Sequence, residues 1–130
     1  MKTWSDRMNY IESGAEKIPV EDNFFDAVIS VNAIDHVDDF GAVAAEITRV
    51  LRPDGILRLE VHYHRATACE PWELCDHTIL EHYGHHGLKK IYERSFAEVV
   101  KGTTRSGTVA IWSNRDEVFP DLAGDGSWPA

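Results

Sequence analysis

The sequence predicts an α/β domain built on a mostly parallel sheet, and two observations predict it. Apolar residues fill nearly every place from Phe25 to Val31, with only Asp26 and Ser30 interrupting, the pattern of a strand covered on both faces. From Asp38 the period changes, and Phe40, Val43, Ala44, Ile47, Val50 and Leu51 fall on one helical stripe. Strand and helix patterns then alternate along the chain, an order that implies parallel strands with helices packed on the sheet.

The elements follow in turn. Tyr10-Ile11 is a short apolar pair that reads as a strand end, entering a loop through Ser13-Gly14 and Ile18-Pro19. Phe25–Val31 is the next strand, and Asp38 or Asp39 is placed to cap the helix behind it. Arg52-Pro53-Asp54-Gly55 stops that helix and turns the chain, because proline cannot continue the hydrogen-bond ladder. Ile56 to His64 is a strand. Trp72, Cys75, Ile79 and Tyr83 are spaced for a helix face that Gly84 would end. Lys89 to Glu93 reads as a strand, Ser95-Phe96-Ala97-Glu98 has the form of a capping box before a short helix, and Thr108 to Trp112 is a last strand. We expect one domain over residues 1–119 and an irregular tail over 120–130, where two prolines and two glycines fall in eleven residues.

Composition narrows the function classes. The 130 residues are 43% apolar, which suits one compact domain. Thirteen basic residues face 22 acidic ones, a net charge of −9, so the basic stripe of a nucleic-acid binder is missing. Two cysteines, Cys69 and Cys75, and an amino terminus without an apolar stretch after basic residues point to the reducing cytoplasm. No apolar run approaches the ~20 residues of a membrane-spanning helix.

The stretch "YIESGAEKIPVEDNFFDAVISVNAIDHVDDF", followed by "AAEITRVLRPDGILRLEVHYH", resembles the second half of class I S-adenosylmethionine-dependent methyltransferases. The resemblance rests on four linked features: an Ala-Glu-x-hydrophobic-Pro loop, a Phe-Asp-x-Val strand, a Glu-Ile-x-Arg-Val-Leu helix and an Arg-Pro-x-Gly turn. It implies a Rossmann-like, doubly wound sheet, truncated here, with a last strand that can run antiparallel. In that family a glycine-rich turn cradles the methionine part of the cofactor, and an acid at the end of the second strand holds the ribose. The one G-x-G of this sequence, Gly124-Asp125-Gly126, falls in the tail and not at the end of a first strand, and Gly14 stands where an acid often lies beside the adenine.

By resemblance, Ser13, Gly14, Ala15 and Glu16 would border the adenine of S-adenosylmethionine. Asn32 and Ala33 leave the Phe25–Val31 strand at its carboxyl end, where open α/β sheets place ligands, although Asn32 also reads as a polar turn residue. Three histidines carry the chemical option. His36 follows one strand end, and His62 and His64 close the next strand on one face. A histidine at that edge could draw a proton from a methyl acceptor, since its ordinary pKa lies near working pH. His36 equally fits a polar rim position, and Asp35 would orient it if the turn brings the two together. Metal ligand types gather in His62-x-His64, Cys69, Glu70, Cys75, His77, His82, His85 and His86, but the spacing matches no closed zinc pattern, and we expect no metal.

Leu57, Leu59, Val61 and Tyr63 alternate with Arg58, Glu60, His62 and His64, so this strand has one apolar and one polar face. Either Arg58 and Glu60 pair, or one face of the sheet is incompletely covered. These readings imply a methyltransferase-like domain for small-molecule methyl transfer, with S-adenosylmethionine binding by the chain alone weak or absent. The alternative is a non-enzymatic binding or assembly module on the residual half-sheet. The expected partners are a second copy, or another chain that completes the sheet, and a small-molecule substrate, with neither nucleic acid nor membrane.

Overall fold

A computed structural model of the chain describes residues 8–64, 68 and 74–114. Strand β1 (Phe25–Val31) leads through a 3-10 turn (Ile34–His36) to helix α1 (Phe40–Val50) and strand β2 (Leu51–Tyr63). Helix α2 (Asp76–His85) follows, then strands β3 (Lys89–Val100) and β4 (Thr103–Ser113). The sheet order is β1-β2-β4-β3. β1 and β2 pair in parallel, and β4 runs antiparallel to both β2 and β3. Three strands therefore point one way and the last one is inserted against them, as the α/β reading anticipates.

Helix α1 begins where its cap permits. The Asp39 Oδ1 accepts from the Ala42 N–H at 3.0 Å, which satisfies one of the first-turn amides. Its apolar stripe, Phe40, Val43, Ala44 and Ile47, packs on Leu57, Leu59 and Val61 of β2 and on Ile79 and Tyr83 of α2. Ala110 and Trp112 of β4 complete the same core. Burying each large apolar side chain of this set contributes about 1.5–3 kcal/mol.

Several expectations change. Tyr10 and Ile11 are exposed and form no strand. Covered faces were expected on both sides of β1, yet Ile29 and Val31 are 67% and 53% exposed, because both helices lie on the other side. The helix does stop before Arg52, but Arg52-Pro53-Asp54-Gly55 lies inside the span of β2 as an irregularity. The register passes from Phe25↔Leu51 to Ala27↔Ile56. Asp54, at φ +64°, takes the left-handed conformation there, and its N–H donates to the Asn114 Oδ1 at 2.7 Å.

Gly84 lies within α2 rather than after it. Gly87, at φ +84°, ends the helix, with its N–H donating to the Gly84 carbonyl and the Leu88 N–H to that of Tyr83. The helix proposed after Ser95 is absent, and β3 continues to Val100. Lys101 and Gly102, at φ +50° and +77°, form a two-residue turn whose twist suits a hairpin, so pairing with Thr103–Ser113 outweighs the local capping signal. β4 consequently begins at Thr103 and not at Thr108. Trp72, Cys69, Glu70 and the 120–130 tail lie outside the described residues.

Candidate functional site

Asn32 leaves β1 at φ +46° while its N–H still donates to the Glu60 carbonyl at 2.8 Å, so the chain turns sharply at the carboxyl end of the ladder. The following 3-10 turn sends Ile34 into the core and buries Asp35 at 1% exposure. A carboxylate that deep requires a partner. The Asp35 Oδ2 lies 2.5 Å from the His64 Nε2, and the Asp35 Oδ1 lies 3.7 Å from the His36 Nε2. The closer partner is therefore His64, on the neighbouring strand end, and not the adjacent His36.

His62 lies across the β4 ladder from Gly107, which also faces Phe96. A Cβ at Gly107 would come 2.0 Å from the Val61 carbonyl oxygen and 2.7 Å from the Phe96 ring, so only glycine fits there. Across that gap the His62 and Phe96 rings meet edge to face at 5.1 Å. The His62 Nε2 is 3.6 Å from the Glu60 Oε1, while its Nδ1 is buried with no hydrogen-bond partner. The Asn32 Oδ1 is likewise buried and unpartnered. Asn32, His62, Tyr63, His64 and Arg105 line one cavity of about 150 Å³ at this edge. His36 is not among its lining residues and lies on the other oxygen of Asp35 from His64. On the polar face of β2, Arg58 and Glu60 do pair, at 3.3 Å.

Ser13 and Gly14 are exposed, and Ala15 packs against the core. The Glu16 Oε1 accepts from the Asp38 and Asp39 N–H groups at 2.9 and 3.3 Å. Its own backbone N–H and those of Asp39 and Asp38 hold the Glu16 carboxyl below its usual range. This loop is thereby tied to the entry of α1. Ala33 is exposed and its carbonyl accepts from the His36 N–H at 3.1 Å, closing the 3-10 turn.

Residues 1–59 match the family model of a methyltransferase domain. Over these 59 of its 130 residues the chain is similar to methyltransferase domains. A sterol 24-C-methyltransferase of Gibberella zeae is 40% identical over 52 residues, which cover 40% of this chain and 14% of that protein's length. The crystal structure of a methyltransferase candidate from Bacillus halodurans superposes with a TM-score of 0.72 at 13% identity, covering 85% of this chain and 73% of that one. An S-adenosylmethionine-dependent methyltransferase of Methanosarcina mazei gives 0.62 at 15% identity, over 77% of this chain and 64% of that one. At these identities the likeness of the structures is one of fold.

The Glu-Ile-x-Arg motif serves the architecture. The Arg49 Nε and Nη2 donate to the two Glu46 carboxylate oxygens at 2.7 and 2.9 Å. The same guanidinium donates to the carbonyls of Ile18 and Val20 and to Asp22, while the Glu46 Oε2 accepts from the Ile18 N–H. This pair clamps the loop that follows Glu16 onto α1. The Arg49 side chain, its nearest cause, holds the Glu46 carboxyl down to about 2, and the Ile18 N–H adds to the effect.

Two site features were missed in the sequence. Arg105 drew no reading because β4 was begun at Thr108; the Lys101-Gly102 turn flanked by Val99-Val100 and Thr103-Thr104 was the available signal. The Asp35–His64 pair spans 29 residues, and no local spacing predicts it. Among the described residues, no three His, Cys, Asp or Glu side chains converge as metal ligands.

The fit to S-adenosylmethionine is incomplete. The buried, unpartnered Asn32 Oδ1 suits a ligand donor. The Glu16 carboxylate is already committed to backbone amides, and no glycine-rich turn stands ahead of β1 for the methionine part. The residues present do not make a whole cofactor site.

Proposed function

We propose that the chain is a methyltransferase-like domain whose carboxyl edge binds a small-molecule acceptor, and that methyl transfer depends on a cofactor cradle these 130 residues do not contain. The observation that carries this reading is the Asp35–His64 pair at the strand ends of β1 and β2. A buried carboxylate bonded to one ring nitrogen fixes the imidazole in place and favours the proton on Nε2. Neutral His64 then holds its lone pair on Nδ1, the atom that would take a proton from an acceptor hydroxyl or amine. His36, the second neighbour of Asp35, and His62, across the cavity, complete the polar edge. By the resemblance, Asn32, Ala33 and the Ser13–Glu16 loop would border the cofactor.

The low cysteine count and the acidic net charge support a cytoplasmic chain without nucleic-acid partners. No helix among the described residues is long and apolar enough to cross a membrane. A second reading, a binding or assembly module on the sheet, is supported by the exposed Ile29 and Val31.

Calorimetric titration with S-adenosylmethionine and S-adenosylhomocysteine tests the proposal. We expect dissociation constants no tighter than about 1 mM, or about −4 kcal/mol. A low-micromolar constant, about −8 kcal/mol, would show that the chain holds its cofactor unaided and would overturn it.

A further inference from the structure

The β3–β4 hairpin extends past the end of β2. The β2–β4 pairing stops at Tyr63↔Ser106, whereas β3 and β4 remain paired through Glu98↔Arg105 and Val99↔Thr104 to Val100↔Thr103. Because β3 runs in the same direction as β2, this overhang stands at the carboxyl edge of the sheet, beside the strand ends that carry Asn32 and His64. It brings Arg105 to the cavity that Asn32, His62, Tyr63 and His64 line.

Arg105 makes no ion pair among the described residues, although Glu98 is its cross-strand neighbour. Of the other described acids toward this edge, Glu60 pairs with Arg58 and approaches His62, and Asp35 holds His64. A guanidinium left without a carboxylate beside a concave polar surface is the ordinary recognition element for a planar anion, because its donors match two oxygens at once. The chain as a whole carries −9, so its general field repels anions, and an anionic ligand would need a local cation.

We propose that the cavity takes a small carboxylate-bearing molecule, with its carboxylate on Arg105 and its nucleophilic end toward His64. The Asn32 Oδ1 would accept a hydrogen bond from the ligand, and the unpartnered His62 Nδ1 stands in the same wall. This inference rests on the reading of the cavity as the acceptor's site. It assigns that acceptor a chemical class.

The test uses benzoate and its neutral counterpart benzamide, without cofactor, and follows the histidine ring resonances of the full chain by NMR. Benzoate is expected to shift the His62 and His64 signals saturably, and benzamide to leave them nearly unmoved. Arg105→Gln should weaken benzoate binding by about tenfold or more, with Arg105→Lys in between, since lysine keeps the charge and loses the fork. Equal shifts from both compounds would keep the cavity as a ligand site and overturn the carboxylate assignment. Shifts from neither would overturn the cavity itself, independently of the S-adenosylmethionine titration. Unchanged benzoate affinity in Arg105→Gln would remove Arg105 from the site.

Discussion

Gly107 shows how one residue sets the position of a functional side chain. The missing Cβ lets β4 pass close to the Val61 carbonyl and leaves room for His62 to lean on Phe96. Gly107→Ala should destabilise the fold by roughly 1–3 kcal/mol, the usual cost of overpacking, and displace the His62 ring. Gly84→Ala is the control with the opposite sign. Its Cβ would meet nothing within 4 Å, and it lies inside α2, so alanine should stabilise by about 1 kcal/mol or less. Thermal melting of the two variants checks both, and a neutral Gly107→Ala would show that β4 can shift without cost. Neither glycine's role is legible in the sequence, because each depends on what lies across space from it. Gly84 looked like a helix end, but the residue that meets the geometric need for positive φ is Gly87.

At the scale of elements, the sequence was most informative where one periodicity ruled a whole segment. The stripe of α1 was legible to the residue, since burial against a single core imposes one repeat, and the bounds of β1 were legible while its one-sided burial was not. The last part of β3 was not. Ser95-Phe96-Ala97-Glu98 satisfies a local helix signal, but twelve residues of cross-strand pairing to β4 compete with it and prevail. The Glu46–Arg49 clamp was half legible: the motif was recognisable, and its partners Ile18, Val20 and Asp22 were not, because they lie 27 to 31 residues away. The clamp gives a pH prediction. The Glu46 carboxyl titrates near 2 in the folded chain against 4.5 ordinarily, so between those values the unfolded chain binds a proton that the folded chain does not. The stability it contributes is present above about pH 4.5 and is lost as pH falls toward 2. Glu46→Gln should therefore lower Tm most at neutral pH, and the gap to the parent chain should narrow in acid. A gap that stays constant from pH 7 to pH 3 would mean that the pair with Arg49 adds nothing electrostatic.

Among the described residues the sheet is clad by helices on one side, and its open features converge on β1. Among the described residues β1 pairs only with β2, which leaves alternate backbone donors and acceptors along its other edge to seek partners. The alternation of Arg58 and Glu60 with Leu57 and Leu59 anticipated an incompletely covered face, and Ile29 and Val31 on β1 extend that face with exposed apolar surface. Edge strands that remain single usually carry a lysine, a proline or a bulge along the open rim, whereas Ala27 to Val31 has none of these and holds no charge. We propose that a second copy pairs along β1 about a two-fold axis, so that each Ile29 and Val31 is covered by the partner strand and its neighbours. Light scattering at micromolar concentration should report about twice the 14.7 kDa of one chain. Ile29→Lys should return the monomer without loss of Tm beyond that of dissociation, because the side chain is 67% exposed and outside the core. A parent chain that stays at 14.7 kDa across that range would show that the edge is covered from within or served by a different chain.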